Sequence, residues 1–138
     1  MEIRSRVRGV VFDLDGTLLD TLDDISLGMN SVLAARGLPL HPRDAYKMFA
    51  GNGTRALVAR AMPPDSPEPA VDEAWRAYVA AYDAREDRGT RPYPGVPELI
   101  DSLVRLGVPF AVNSNKPQAS TERVLAKYFP GAPFKAII

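Results

Sequence analysis

Asp13-Leu14-Asp15-Gly16-Thr17 sets two carboxylates two residues apart, directly behind an apolar run. Side chains two apart on a strand point the same way, so Asp13 and Asp15 are expected to share a face while Leu14 enters the core. Gly16 lets the backbone turn sharply after them. Neighbouring carboxylates resist ionising together, which suits one as a nucleophile and the other as a proton carrier. The plain alternative is two solvated loop acids capping the next helix. A second constellation is Asn113-Ser114-Asn115-Lys116-Pro117. A hydroxyl and the first amides of a helix opened by Pro117 are groups that hold phosphate oxygens, although an ordinary helix cap uses the same residue types. Lys116 adds a charge there, with a surface position as its plain alternative.

The elements that position these residues follow from apolar spacing. Gly9 to Leu14 reads as a buried parallel strand with the acids at its carboxyl end. Thr21-x-x-Asp24 has the form of a capping box, and Leu22, Ile25, Met29, Val32 and Leu33 mark a helix that ends at Gly37 and Pro39. Helical stretches are predicted over Pro42 to Ala50 and after the Gly51-Asn52-Gly53 loop, where Leu57, Val58, Ala61 and Met62 share a side. Beyond a proline-rich connector, Val71, Ala74, Trp75, Tyr78, Val79 and Tyr82 form one stripe, read as helix-packing core. After the Pro92-Tyr93-Pro94-Gly95 turn, a helix is expected to bury Val96, Leu99, Ile100, Leu103 and Val104. Val108 to Val112 reads as a second buried strand, followed by a helix to about Tyr128, and Phe134 to Ile138 as the start of a third strand. The order is α/β with a helical insertion directly after the first strand.

Across the 138 residues, seventeen basic side chains balance seventeen acidic ones, so no global field draws the chain to nucleic acid or an anionic membrane. No cysteine is present, which excludes disulfides and thiol chemistry and agrees with a cytoplasmic address. The apolar stretch near the start is too short for a membrane span. His41, the one histidine, sits between Leu40 and Pro42 with no sign of a catalytic triad and reads as a loop residue.

Val10-Val11-Phe12-Asp13-Leu14-Asp15-Gly16-Thr17-Leu18-Leu19-Asp20-Thr21 resembles the first signature of the haloacid dehalogenase superfamily, and Val112-Asn113-Ser114-Asn115-Lys116-Pro117 resembles the second. The resemblance implies a Rossmann-like parallel sheet, incomplete in this chain, with an inserted α-helical cap. The core is then expected over residues 1–19 and 93–138 and the cap over 20–92. It also implies that Asp13 attacks phosphorus to form an aspartyl-phosphate, with Asp15 as general acid and base. A Mg²⁺ ion is expected on the Asp13 carboxylate and the Asp15 backbone carbonyl. The substrate phosphate is expected on Gly16, Thr17, Ser114, Asn115 and Lys116. Family members that cleave carbon–halogen bonds lack the second Asp, so by the resemblance Asp15 points to a phosphatase or phosphomutase.

Gly51-Asn52-Gly53 followed by Thr54-Arg55 resembles the cap loop that selects the substrate in phosphoglycolate phosphatases, and Tyr93-Pro94-Gly95-Val96 resembles the returning hinge. The expected substrate is a small phosphorylated metabolite, 2-phosphoglycolate first. The alternatives are a phosphosugar phosphatase or β-phosphoglucomutase-like enzyme, and an impaired fragment that only binds phosphate or a partner. Two family signatures, a Lys and a later acidic pair, have no counterpart, so the chain is expected to lack the C-terminal third of complete relatives. Weak turnover follows from the missing preorganised charge, and self-association from an open sheet edge.

Overall fold

The computed structural model describes residues 7–138. In chain order the elements are β1 (Val10–Phe12), β2 (Leu19–Asp20), α1 (Leu22–Ala35), a 3₁₀ turn (Arg43–Ala45) running into α2 (Tyr46–Phe49), α3 (Thr54–Ala61), α4 (Glu68–Ala84), β3 (Arg91–Pro92), α5 (Val96–Leu106), β4 (Phe110–Val112) and α6 (Gln118–Tyr128). The protein is α/β, and its chain divides into two units. One is built from the residues up to Leu19 together with Pro92–Ile138, the other from Asp20–Arg91.

In the first unit β1 and β4 pair in parallel, with Val10, Val11 and Phe12 opposite Phe110, Ala111 and Val112. β-Branched and aromatic side chains favour this pleated pairing. The last residues of the chain run along the other side of β4: Lys135 N–H donates to Phe110 O at 2.9 Å, Val112 N–H to Ala136 O at 3.0 Å and Ile138 N–H to Val112 O at 2.9 Å. β4 is therefore central, and the third strand expected from Phe134 onward is present as this ladder. Gly107, in the left-handed region at φ 65°, ends α5 and turns the chain into β4. Leu14, Leu18, Ile100, Leu103, Phe110 and Val124 are among the core residues that hold α5 and α6 on the sheet. Each such side chain contributes roughly 1.5–3 kcal/mol by leaving water.

Two expectations need correction here. β1 is not fully buried, because Val11 is 70% exposed and β1 pairs on one side only among the described residues. An apolar run signals a strand without saying which faces become covered. On α5, Leu99 and Val104 are exposed while Ile100 and Leu103 are buried. A helix packed by one face buries a stripe narrower than its full set of apolar residues.

The second unit is helical. Met29 and Leu33 of α1, Tyr46 of α2, Val58 of α3, and Ala74 and Tyr78 of α4 close one core, so the α4 stripe is packing surface as expected. The Tyr46 hydroxyl donates to Asn30 Oδ1 at 2.6 Å, and burial pushes its pKa up to about 12. The capping box at Thr21-x-x-Asp24 does not form, since Thr21 makes no side-chain cap bond. Asp24 is fully buried instead. Its Oδ1 accepts from Arg85 Nε at 2.6 Å, and its Oδ2 from Thr90 Oγ1 at 2.7 Å and Gly89 N–H at 3.0 Å. Burial alone would raise the Asp24 pKa, but the bonds from Thr90, Arg85 and Gly89, with the Arg85 charge, outweigh it and hold the group below its ordinary value.

Candidate active site

The residues after β1 fold into a tight turn around one oxygen. Leu14 O accepts from the amides of Thr17, Leu18 and Leu19 at 3.2, 3.0 and 3.1 Å, while Gly16 N–H donates to Leu19 O at 2.9 Å. Gly16 stands at φ 79°, where a Cβ would be strained. Leu14 is buried as expected, Asp13 is exposed and Asp15 half-buried. β1 ends at Phe12, so the strand period does not place the two acids. The turn does, with Leu14 N–H donating to Asp13 Oδ1 at 2.7 Å. The amides of Gly16 and Thr17 are spent on closing this turn, so what these residues can bring to a phosphate is turn shape and the Thr17 hydroxyl.

Parallel pairing carries the end of β4 alongside. Asn113 N–H donates to Phe12 O at 2.9 Å, and Ser114 N–H to Ile138 O at 2.7 Å. Ser114 Oγ accepts from Lys116 N–H at 3.1 Å, which leaves its own hydroxyl proton for another acceptor. Pro117 stands one position earlier than expected, as the residue before α6, and Thr121 N–H closes on its carbonyl at 3.0 Å. The first amides of α6 follow this corner. Lys116 is not a surface residue. Its side chain is 6% exposed and Nζ donates to Asp15 Oδ1 at 2.9 Å, which joins the two signatures through one ion pair. Asn115 is exposed on the same corner. This arrangement lies at the carboxyl ends of two parallel strands, where open α/β sheets bind ligands.

Only oxygen donors are offered to a cation by Asp13 and Asp15, and among the described residues no group of three or more acidic, His or Cys side chains forms a cage. Mg²⁺, which keeps several waters and binds through one or two carboxylates plus substrate phosphate, fits such a donor pair.

In the Asp20–Arg91 unit the Gly51-Asn52-Gly53 loop joins α2 to α3. Arg55 pairs with Glu68, and its Nε donates to Asp72 Oδ1 at 2.8 Å, so its charge is already matched by two acids. Arg60, which sequence reasoning passed over, bonds to the loop itself. It lies on the exposed side of α3, where apolar periodicity carries no signal. His41 Nε2 lies 2.8 Å from Ala61 O and its ring packs edge-on against Phe49, a structural role.

The family model for haloacid dehalogenase-like hydrolases matches residues 10–138. The chain belongs to this family. It is 34% identical over 120 residues to a phosphoglycolate phosphatase of Agrobacterium fabrum, covering 85% of this chain and 52% of the relative. It is 32% identical over 124 residues to an N-acetylmuramic acid 6-phosphate phosphatase of Pseudomonas aeruginosa, covering 90% of this chain and 55% of the relative. A crystal structure described as a predicted phosphoglycolate phosphatase from Haemophilus somnus superposes with a TM-score of 0.86 at 26% identity, over 98% of this chain and 63% of that one. The chain thus spans about half the length of the curated relatives it matches. Among the described residues of this dehalogenase-family chain, no helix is long and apolar enough to cross a membrane.

Proposed function

We propose that the chain carries the nucleophile half of a phosphomonoester hydrolase acting on a small phosphorylated metabolite, 2-phosphoglycolate first. A carboxylate oxygen of Asp13 attacks phosphorus, and the bond to the leaving alkoxide breaks as Asp15 delivers a proton to it. Water then attacks the aspartyl-phosphate, Asp15 takes its proton, and inorganic phosphate leaves. The Ser114 hydroxyl and the first α6 amides hold phosphate oxygens, with Asn115 beside them and Gly16 and Thr17 shaping the turn. Mg²⁺, held by the Asp13 carboxylate and the Asp15 carbonyl, would supply Lewis-acid charge compensation when bound.

The observation that carries this reading is that the Asp13–Asp15 turn and the Ser114 turn follow neighbouring strand ends, joined by Asn113 N–H on Phe12 O and Lys116 Nζ on Asp15 Oδ1. Phosphoglycolate phosphatases among the relatives support the substrate. The Pseudomonas aeruginosa relative named for N-acetylmuramic acid 6-phosphate favours a second reading, a sugar phosphate, and assay against a panel of phosphate esters separates the two.

Beryllofluoride with Mg²⁺ tests the mechanism. An adduct on the wild-type chain that is lost in Asp13→Asn is expected. An adduct that survives the substitution overturns the nucleophile assignment, and no adduct together with no Mg²⁺ binding favours a fragment that only binds phosphate or a partner. The Asp20–Arg91 unit is proposed as the cap, with Gly51, Asn52 and Gly53 selecting the substrate, and the address as cytoplasmic. Val11 and β1, paired on one side only among the described residues, support self-association, expected as a concentration-dependent rise in mass by light scattering.

A further inference from the structure

Gly51, Asn52 and Gly53 stand in succession at φ 111°, 61° and 90°. Glycine tolerates this region and asparagine enters it at some cost, so a run of three needs something to hold it. α2 is one turn long, and its last carbonyl, at Phe49, has no intrahelical partner by geometry. Arg60, two turns along α3 from the loop, folds its guanidinium back over it. Nη1 donates to Phe49 O at 2.9 Å and to Gly51 O at 2.8 Å, and Nη2 donates to Asn52 Oδ1 at 2.8 Å. One rigid fork thus fixes the carbonyl before the loop, the carbonyl of its first residue and the side chain of its second. Arg55 lies closer to the loop in sequence but is spent on Glu68 and Asp72.

We infer that Arg60 is the positioning residue of the Gly51–Gly53 loop and, on the reading that this loop selects the substrate, a determinant of specificity that acts without touching it. A planar guanidinium spans several acceptors at once, whereas the single ammonium of lysine cannot match that geometry. A preorganised loop binds its ligand without first paying to be ordered.

The test uses the full 138-residue chain in three variants, Arg60→Met, Arg60→Lys and Arg55→Ala. Arg60 is exposed, and Met keeps its aliphatic stem, so folding is expected to survive; amide shifts of α1 and α4 verify it. In the wild type, backbone order parameters at Gly51 to Gly53 are expected near those of a rigid backbone, about 0.85, and in Arg60→Met below about 0.6. Arg60→Lys is expected to fall between, and Arg55→Ala to leave the loop unchanged. Titration of the same samples with 2-phosphoglycolate and Mg²⁺ is expected to weaken about tenfold in Arg60→Met, while inorganic phosphate, which needs only the Ser114 corner, stays within about twofold. A loop that remains ordered in Arg60→Met overturns the role of Arg60 whatever the ligands do. Equal weakening toward both ligands also overturns it, since that is loss of general stability. A loosened loop with unchanged 2-phosphoglycolate affinity, or a wild type that binds none, instead sinks the reading of the loop as a selector and leaves only its anchoring.

Discussion

Asp24 and the Asp13–Asp15 pair are acids of one chain with opposite fates. Asp24 is buried among three donating residues, its charge met by Arg85 and its oxygens by Gly89 and Thr90. Asp13 is exposed and accepts from the neighbouring amide of Leu14, while Asp15 meets a lysine. The first carboxylate is saturated and therefore structural. The second pair keeps acceptor capacity in reach of solvent, which is what a group that must bond to an incoming phosphorus or release a proton requires. Burial and saturation, not residue type, separate these acids.

Asp24→Ala pushes hardest on this contrast. Removing one partner of a buried pair leaves Arg85 and the 89–90 amide and hydroxyl unmatched, and a loss of about 3–5 kcal/mol in urea unfolding is expected. A loss below about 1 kcal/mol would mean that the bonds around Asp24 are replaceable. The same carboxylate sets an acid limb. Because its folded-state pKa is lowered, its contribution is fully present above the ordinary aspartate range and drains away as pH falls through the folded value. Stability of wild type is expected to drop there, and Asp24→Asn to drop less steeply.

Gly89→Ala comes next. A Cβ at Gly89 would lie 3.0 Å from Asp23 Cβ and 3.1 Å from Asp24 Oδ1, so the segment must shift, at an expected cost of about 1–3 kcal/mol by the same measurement. Smallest is Asp13→Asn, whose exposed carboxyl is expected to change stability by less than about 0.5 kcal/mol even as it removes the beryllofluoride adduct. Should Asp13→Asn destabilise as much as Asp24→Ala, the division between framework acid and chemical acid would be lost.

Much of this was legible beforehand where one local rule decides. Val71, Ala74, Tyr78 and Tyr82 repeat at helical spacing and are buried; Gly107 ends α5 where a left-handed residue was required. Leu14 went inward and Ser114 came to the end of β4. What stayed hidden was set by partners distant in sequence. Asp24 looked like a cap because its partners lie at residues 85–90, and the pairing of Lys116 with Asp15 gave no local signal because the two are 101 positions apart. Leu99 and Val104 carry the periodicity of a buried face, yet both stay exposed at the edge of the packed stripe. Arg60 is a solvent-side arginine on a short helix until its fork is seen on the loop.

The backbone of Ile138 has one more consequence. Ile138 accepts the Ser114 amide on its carbonyl and donates its own amide to the Val112 carbonyl, so two backbone bonds tie the Ser114 turn to the end of β4. A change that displaced the Ile138 carbonyl would be felt first at that serine.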